Sequence, residues 1–291
     1  MAQIREIKKR IGAVGNIQRI TKTMQMIATA KFTASLQRSQ ATKPFNETLR
    51  DLVGKVSMAA GDIEHPLLAT PATPLRRELL LYISSDRGLC GAYNGNVFRN
   101  ALAHYRDLDS RGIEMDLEVS GKKAIGFFKF AGIELANQYT IGDKPAYAEV
   151  ERLATTYMDK YIAGEYDAIR VAYMRYESNA RQIPEVMRLL PMQSDAIGQS
   201  ETAGAEANYD FSPSGEKLLG DLLPLAVKSQ LFQCFNDAVV SEQIMRMIAM
   251  KAATENAKDL SKTLKRDFNR ARQAQITTEL SEIISGSTAL E

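Results

Sequence analysis

The sequence predicts an α/β protein whose two ends are long helices built to pair with each other. Three observations carry this. Apolar residues recur at steps of three and four at the start of the chain and again near its end, the middle alternates short apolar runs with helical stretches, and no proline follows Pro224. The boundaries that follow are a coiled-coil helix over 1–60, an α/β domain over 75–193, a connector over 194–215 and a second coiled-coil helix over 216–291.

In the first helix, Ile4, Ile7, Ile11, Val14, Ile17, Ile20, Met24 and Ile27 form one apolar stripe, and only Pro44 interrupts the stretch beyond it. The steps are those of a heptad seam, with a three-residue stammer expected where 14, 17 and 20 follow at equal steps. Gly12 and Gly15 each cost about 1 kcal/mol against alanine in a helix interior, which points either to packing, such as close approach of another backbone, or to a locally weak stretch of helix.

The middle changes period. The run 78–85 (ELLLYISS) is nearly all apolar and leads through a Gly-rich turn into a helix from Asn94 to about Asp109. Runs at 114–119, 133–140 and 167–176 recur with helices expected at 121–131 and 146–163, the signature of a mostly parallel sheet with crossover helices. The run 186–192 follows the last of these too closely for a crossover, so an antiparallel neighbour is expected. Residues 194–215 are rich in Ser, Gly, Ala, Asp and Glu and read as an exposed connector. In the closing helix Val240, Ile244, Met247, Lys251, Thr254, Ala257, Leu260 and Leu264 keep the steps of three and four, and Gly286 suits a C-terminal cap. About sixty helical residues extend roughly 90 Å at 1.5 Å each, so this helix is expected to pair with the first over part of its length and to project beyond the globular body.

Composition excludes several classes. Charged residues make up 25% and hydrophobic ones 45%, ordinary for a globular protein, and no run approaches the length of a spanning helix. The net charge of +2 hides nine basic side chains in residues 1–45 against the single acid Glu6. The apolar repeat already begins at Ile4, which leaves little for a cleaved transit peptide, and no apolar core of a secretory signal follows Arg5–Arg10. Cys90 and Cys234 lie far apart without a CxxC, so neither a disulfide framework nor a zinc site is expected, and a reducing compartment is the default.

The Gly-rich turn, Ser84 to Gly95, is not GxGxxG, and no GxxxxGK[ST] occurs. Cys90 as a nucleophile needs a base, and the histidines are His65 and His104, with no third group completing a triad. Asp86 and Arg87 have no carboxylate companion spaced for acid–base or metal chemistry. No catalytic, cofactor-binding or metal-ligating residue is therefore expected.

Four segments carry a family resemblance: NIQRITKTMQMIATAKF (16–32), SSDRGLCGAYN (84–94), SEQIMRMIAMKAATENA (241–257) and FNRARQAQITTELSEIISG (268–286). They resemble, in order and from end to end, the gamma subunit of F-type ATP synthases. The resemblance implies a left-handed antiparallel coiled coil of the terminal helices and a central Rossmann-like α/β domain. It implies that the coiled coil enters a ring of three alpha and three beta subunits while the α/β domain meets the epsilon subunit and the membrane c-ring. It implies a non-catalytic shaft that passes torque between ion flow and ATP synthesis, peripheral to the cytoplasmic face of a bacterial inner membrane and without a cofactor. By the same resemblance, Met24 and Arg246, with Lys22 beside them, lie near an acidic beta-subunit loop, Arg272 and Gln273 contact a second beta-subunit loop, and Asp86, Arg87, Gly88 and Gly91 belong to the central-domain motif. The two cysteines do not form the inserted pair of the chloroplast type, so thiol control is not expected. The rival readings are a nucleic-acid-binding coiled coil and a nucleotide-dependent enzyme. The first lacks aromatics interleaved with its basic strip, and the second lacks a phosphate loop.

Overall fold

The computed structural model describes residues 2–59, 65–68, 75–192 and 215–288. The expected connector over 194–215 falls outside these apart from its last position, which opens the final helix. The elements are α1 (Ala2–Ala59), β1 (Arg77–Ile83), α2 (Tyr93–Ser110), β2 (Glu114–Ser120), α3 (Lys122–Phe130), β3 (Asn137–Tyr139), α4 (Tyr147–Ile162), β4 (Ala168–Tyr176), β5 (Gln182–Leu190) and α5 (Gly215–Thr288). α5 runs on through Gly286, so the expected cap at that glycine does not end it, and Pro44 and Pro224 both lie inside helices. The chain divides into two compact units, one made of Met1–Thr29 with Arg246–Glu291 and the other of Ala30–Met245.

The larger unit is built on one five-stranded sheet of order β3-β2-β1-β4-β5. β1 pairs in parallel with β2 and β4, β2 with β3, and β5 returns antiparallel to β4, as its short link requires. The apolar run of β1 is explained by burial on both faces. Leu79, Leu81 and Ile83 pack with Val150, Ala154 and Tyr157 of α4 and with Leu223, Val227 and Leu231 of α5. Leu80 and Tyr82 pack on the opposite face with Val97 and Ala101 of α2 and Phe128 of α3.

Two fully buried carboxylates tie the layers together. Glu78 of β1 meets His104 of α2 and, at 3.0 Å, Arg170 Nε of β4. Glu118 of β2 accepts from Tyr157 Oη at 2.7 Å, Tyr139 Oη at 3.0 Å and Asn137 Nδ2 at 2.9 Å, with Lys160 Nζ at 3.4 Å. Buried carboxylates persist only where donors replace their hydration, and here each joins strands to a crossover helix.

In the smaller unit the structure corrects the expected seam. Ile17, Ile20 and Ile27 are 51%, 58% and 52% exposed. Ile4, Ile7, Ile11, Val14, Gln18, Thr21, Gln25 and Ala28 turn inward at alternating steps of three and four with no stammer, and Met24 of the expected stripe is half-buried beside them. Polar seam positions are tolerated because they bond locally and across the pair: Thr21 Oγ1 donates to Gln18 O at 3.1 Å, and Thr254 Oγ1 donates to Thr21 Oγ1 at 2.8 Å. In α5, Met250 is buried in place of the exposed Lys251, and Ser261 turns further inward than Leu260, which is 50% exposed. Close approach at the glycines is absent as well, because a Cβ added at Gly12 or Gly15 meets nothing within 4 Å.

These burials separate the two seams experimentally. Ala28→Leu is expected to destabilise the chain by about 1–3 kcal/mol through overpacking. Ile20→Gln is expected to change stability by no more than about 0.5 kcal/mol, as an exposed substitution does. Urea unfolding of the two variants beside the parent checks both values.

Candidate functional site

The Gly-rich turn follows β1 and reaches α2. Leu89 and Gly91 take φ of 62° and 61°, so the chain reverses through two left-handed residues. Asn94 closes the turn: its Oδ1 accepts from Ser85 N at 3.1 Å, and its Nδ2 donates to Ser85 Oγ at 2.8 Å and approaches Cys90 Sγ at 3.4 Å. Ser85 Oγ donates in turn to Arg87 O at 2.8 Å. Asp86 Oδ1 accepts from Lys122 N at 3.0 Å, at the start of α3, while Arg87 is exposed. Ser84 Oγ donates to Ser120 O at 3.1 Å and accepts from Ala124 N at 3.0 Å. These side chains serve the backbone of neighbouring elements, and Cys90 is 2% exposed with hydroxyl, amide and carbonyl groups around it but no base.

The strand order reverses at β1, which has β2 on one side and β4 on the other, and ligands of open α/β sheets sit beyond the carboxyl ends of the strands at such a reversal. Here that ground is taken by the protein itself. Phe235, Ala238, Val239 and Glu242 of α5, with Ile141, Gly142 and Asp143 from the segment after β3, close over Ser84, Asp86 and Gly121 and leave a space of only about 20 Å³. Asp143 is itself engaged, with Lys31 of α1 as its ion-pair partner. Among the described residues no group of three or more His, Cys, Asp or Glu side chains is placed to hold a metal ion.

The other candidate residues lie in the smaller unit. Met24 is half-buried and Lys22 exposed, with Lys22 Nζ 3.4 Å from Gln25 Oε1. Arg246 is 7% exposed, while Arg272 and Gln273 are exposed on α5 about 39 Å farther along the helix at 1.5 Å per residue. Between α1 and α5 runs a groove lined by Gln18, Arg19, Lys22, Lys251, Thr254, Glu255 and Lys258. Four cations face one carboxylate there, so the groove is suited to acidic ligands. Lys22 was expected at a partner contact and Lys258 was not, although the spacing of 251, 255 and 258 puts Lys251, Glu255 and Lys258 on one helix face. Ile17, Ile20, Met26, Ile27 and Ile248 of the same unit are exposed.

The sequence model of a family described as "ATP synthase" matches residues 3–290. An ATP synthase gamma chain from Leptospira biflexa is 40% identical over 291 residues, covering all of both chains. The chain belongs to the ATP synthase gamma-chain family. A gamma chain from Rhodopirellula baltica is 39% identical over 298 residues, and one from Haemophilus influenzae 38% over 291, again covering all of each chain. Among solved structures, a chain of the Euglena gracilis mitochondrial ATP synthase in an assembly of OSCP, F1 and c-ring shares the fold with a TM-score of 0.70 and 20% identity, covering 99% of this chain and 95% of that one. A chain of the Tetrahymena thermophila central stalk and c-ring shares it with a TM-score of 0.59 and 22% identity, covering 80% and 99%. Gamma-chain membership, the α/β class and the paired terminal helices thus stand as the sequence predicts. No helix among the described residues is long and apolar enough to cross a membrane.

The turn motif yields a sharp expectation. A Cβ on Gly121, at φ 105°, falls 2.4 Å from Ser84 O, so Gly121→Ala is expected to destabilise by about 2–4 kcal/mol. Thermal unfolding checks this against Gly95→Ala, where a Cβ meets nothing within 4 Å and little change is expected.

Proposed function

We propose that this chain is the central rotor shaft of an F-type ATP synthase, carrying torque between a membrane c-ring and a hexamer of three alpha and three beta subunits, with catalysis left to the hexamer. The observation that carries the reading is the outer surface of the smaller unit. Large apolar side chains stand exposed on both of its helices, Ile17, Ile20 and Ile27 on α1 and Ile276, Leu280, Ile283 and Ile284 on α5. Exposed apolar surface of this extent marks a protein interface, and on α1 Ile17 and Ile20 alternate along the chain with Gln18, Arg19 and Lys22 of the basic groove. A ring of subunits with acidic loops matches both features. Relatives named for the gamma chain and likenesses titled for rotor and central stalk support it.

In this reading Lys22, with Met24 near it, faces an acidic beta-subunit loop, where Arg246 acts from a buried position rather than as an exposed surface charge. Arg272 and Gln273 meet a second beta-subunit loop, and arginine suits such a contact because its fork of donors grips a carboxylate bidentately. The turn bearing Asp86, Arg87, Gly88 and Gly91 anchors the α/β domain, which meets the epsilon subunit and the c-ring. The complex lies at the cytoplasmic face of a bacterial inner membrane, which this chain touches through its partners. The 1–60, 75–193 and 216–291 boundaries then correspond to the first shaft helix, the foot domain and the second shaft helix. The crevice of the sheet filled by α5 supports mechanical anchoring over nucleotide binding.

Native mass spectrometry of the chain co-expressed with its alpha and beta subunits tests the proposal. One copy per active hexamer is expected, and a chain left outside the hexamer overturns it. Within such a complex Arg272→Ala with Gln273→Ala is expected to slow ATP turnover roughly tenfold, equivalent to about 1.4 kcal/mol, while the isolated chain stays folded. Unchanged turnover removes the pair from the mechanism. Met24→Lys places a further cation beside the acidic loop and is expected to lower ion pumping per ATP hydrolysed, read by fluorescence quenching in inverted vesicles.

A further inference from the structure

In the larger unit the faces of α1 and α5 that meet are not uniformly apolar. Gln233 of α5 stands at the centre of a polar ladder, its Nε2 donating to Ser39 Oγ at 3.0 Å and to Asp237 Oδ1 at 2.8 Å. Its Oε1 accepts from Thr42 Oγ1 at 2.8 Å and Asn46 Nδ2 at 3.1 Å. Ser39 Oγ donates to Asp237 Oδ1 at 3.1 Å, and Ser229 Oγ donates to Asn46 Oδ1. Ser39 and Asp237 are 1% and 6% exposed, so these groups have exchanged water for one another. Each step of three or four along α1 is answered by four back along α5, which ties the bonds to one antiparallel alignment. A slip of one heptad one way sets Gln233 opposite Leu49 and strands its amide, and the other way puts Phe32 in the place of Ser39 and costs the amide one of its partners.

We propose that Gln233 and Asp237 are positioning residues that fix the register of α1 against α5, and that Asp237 makes the strength of this lock depend on pH. Tethering of the two helices in one alignment is what an unslipping shaft requires, but the proposal stands on the ladder alone and not on the rotor reading. Burial pushes the Asp237 carboxyl up to about 6 from an ordinary 3.8, against the opposing pull of Gln233, Ser39, Lys43 and Arg175. Among the described residues the other titratable or charged groups facing this cluster are Arg50 of α1, Tyr173 and Tyr176 of β4, Glu185 of β5 and Cys234 of α5. A cavity of about 190 Å³, lined by Gln233, Asp237, Asn46, Tyr173 and Arg175, gives solvent protons a route to the carboxyl. Because the packed state holds the proton more tightly than the opened state, the seam is strongest with Asp237 protonated and weakens as pH rises through about 6. Between pH 5 and pH 8, opening of the seam is expected to increase roughly tenfold.

Hydrogen exchange of the full chain, followed by mass spectrometry over 35–46 and 229–240 and corrected for intrinsic rates, reads that opening. The parent is expected to show the tenfold rise and Asp237→Asn, which keeps the Oδ1 acceptor, none. Equal opening of the parent at both pH values, or a variant that retains the rise, overturns the pH dependence. Register is read from the distance between spin labels placed at exposed Gln40 and Asp221, the native cysteines being buried. Gln233→Leu is expected to add a second population displaced by about 10 Å, one heptad of helix rise. A single unchanged distance overturns the register assignment. If Gln233→Leu does not fold, Thr42→Val with Asn46→Leu removes both donors to Oε1 and carries the same expectation.

Discussion

The alignment of α1 with α5 is the constraint on which the larger unit depends. Heptad steps alone leave two long helices free to pair in several registers, because apolar contacts are nearly degenerate under a slip of seven residues. The hydrogen bonds among Ser39, Thr42, Asn46, Ser229, Gln233 and Asp237 remove that degeneracy, since a buried amide or carboxyl without its partner costs more than an apolar mismatch. The same two helices also supply Leu49, Val53, Leu223, Val227 and Leu231 to the core beneath the sheet. Register of the pair and seating of the sheet are therefore one decision.

The sheet is held by the same kind of chemistry. Glu78 and Glu118 sit fully buried on adjacent strands and face opposite sides, one toward α2 and β4, the other toward β3 and α4. Such groups add specificity more than net stability, because their desolvation offsets much of what their bonds return. With α5 filling the crevice at the strand-order reversal, the α/β architecture is turned from a ligand-binding arrangement into a mount for a helix. Fold class alone thus says little about activity, and the occupant of the crevice says more.

Much of this was legible in the sequence. The parallel strands and crossover helices follow from apolar runs alternating with helical periods, and antiparallel β5 follows from a link too short for a crossover. The family followed from four motifs in order. The seam was less legible: Ile17, Ile20 and Ile27 drew the hydrophobic stripe onto a face that the structure leaves exposed, while Gln18, Thr21 and Gln25 turn inward. Hydrophobicity by itself does not tell which of two stripes on a helix turns toward the chain's own partner helix.

The sequence by itself determined what depends on local pattern and short spacing: helix and strand type, strand direction, the absence of a phosphate loop and membership of the gamma-chain family. The tertiary structure alone decided which stripe faces inward, which polar residues pair across the seam and what occupies the crevice at the end of the sheet. Those outcomes rest on contacts such as Ser39 with Asp237 and Asn46 with Gln233, between residues nearly two hundred positions apart. No local periodicity encodes such a pairing, because its energy exists only once both helices are aligned and water has left the space between them.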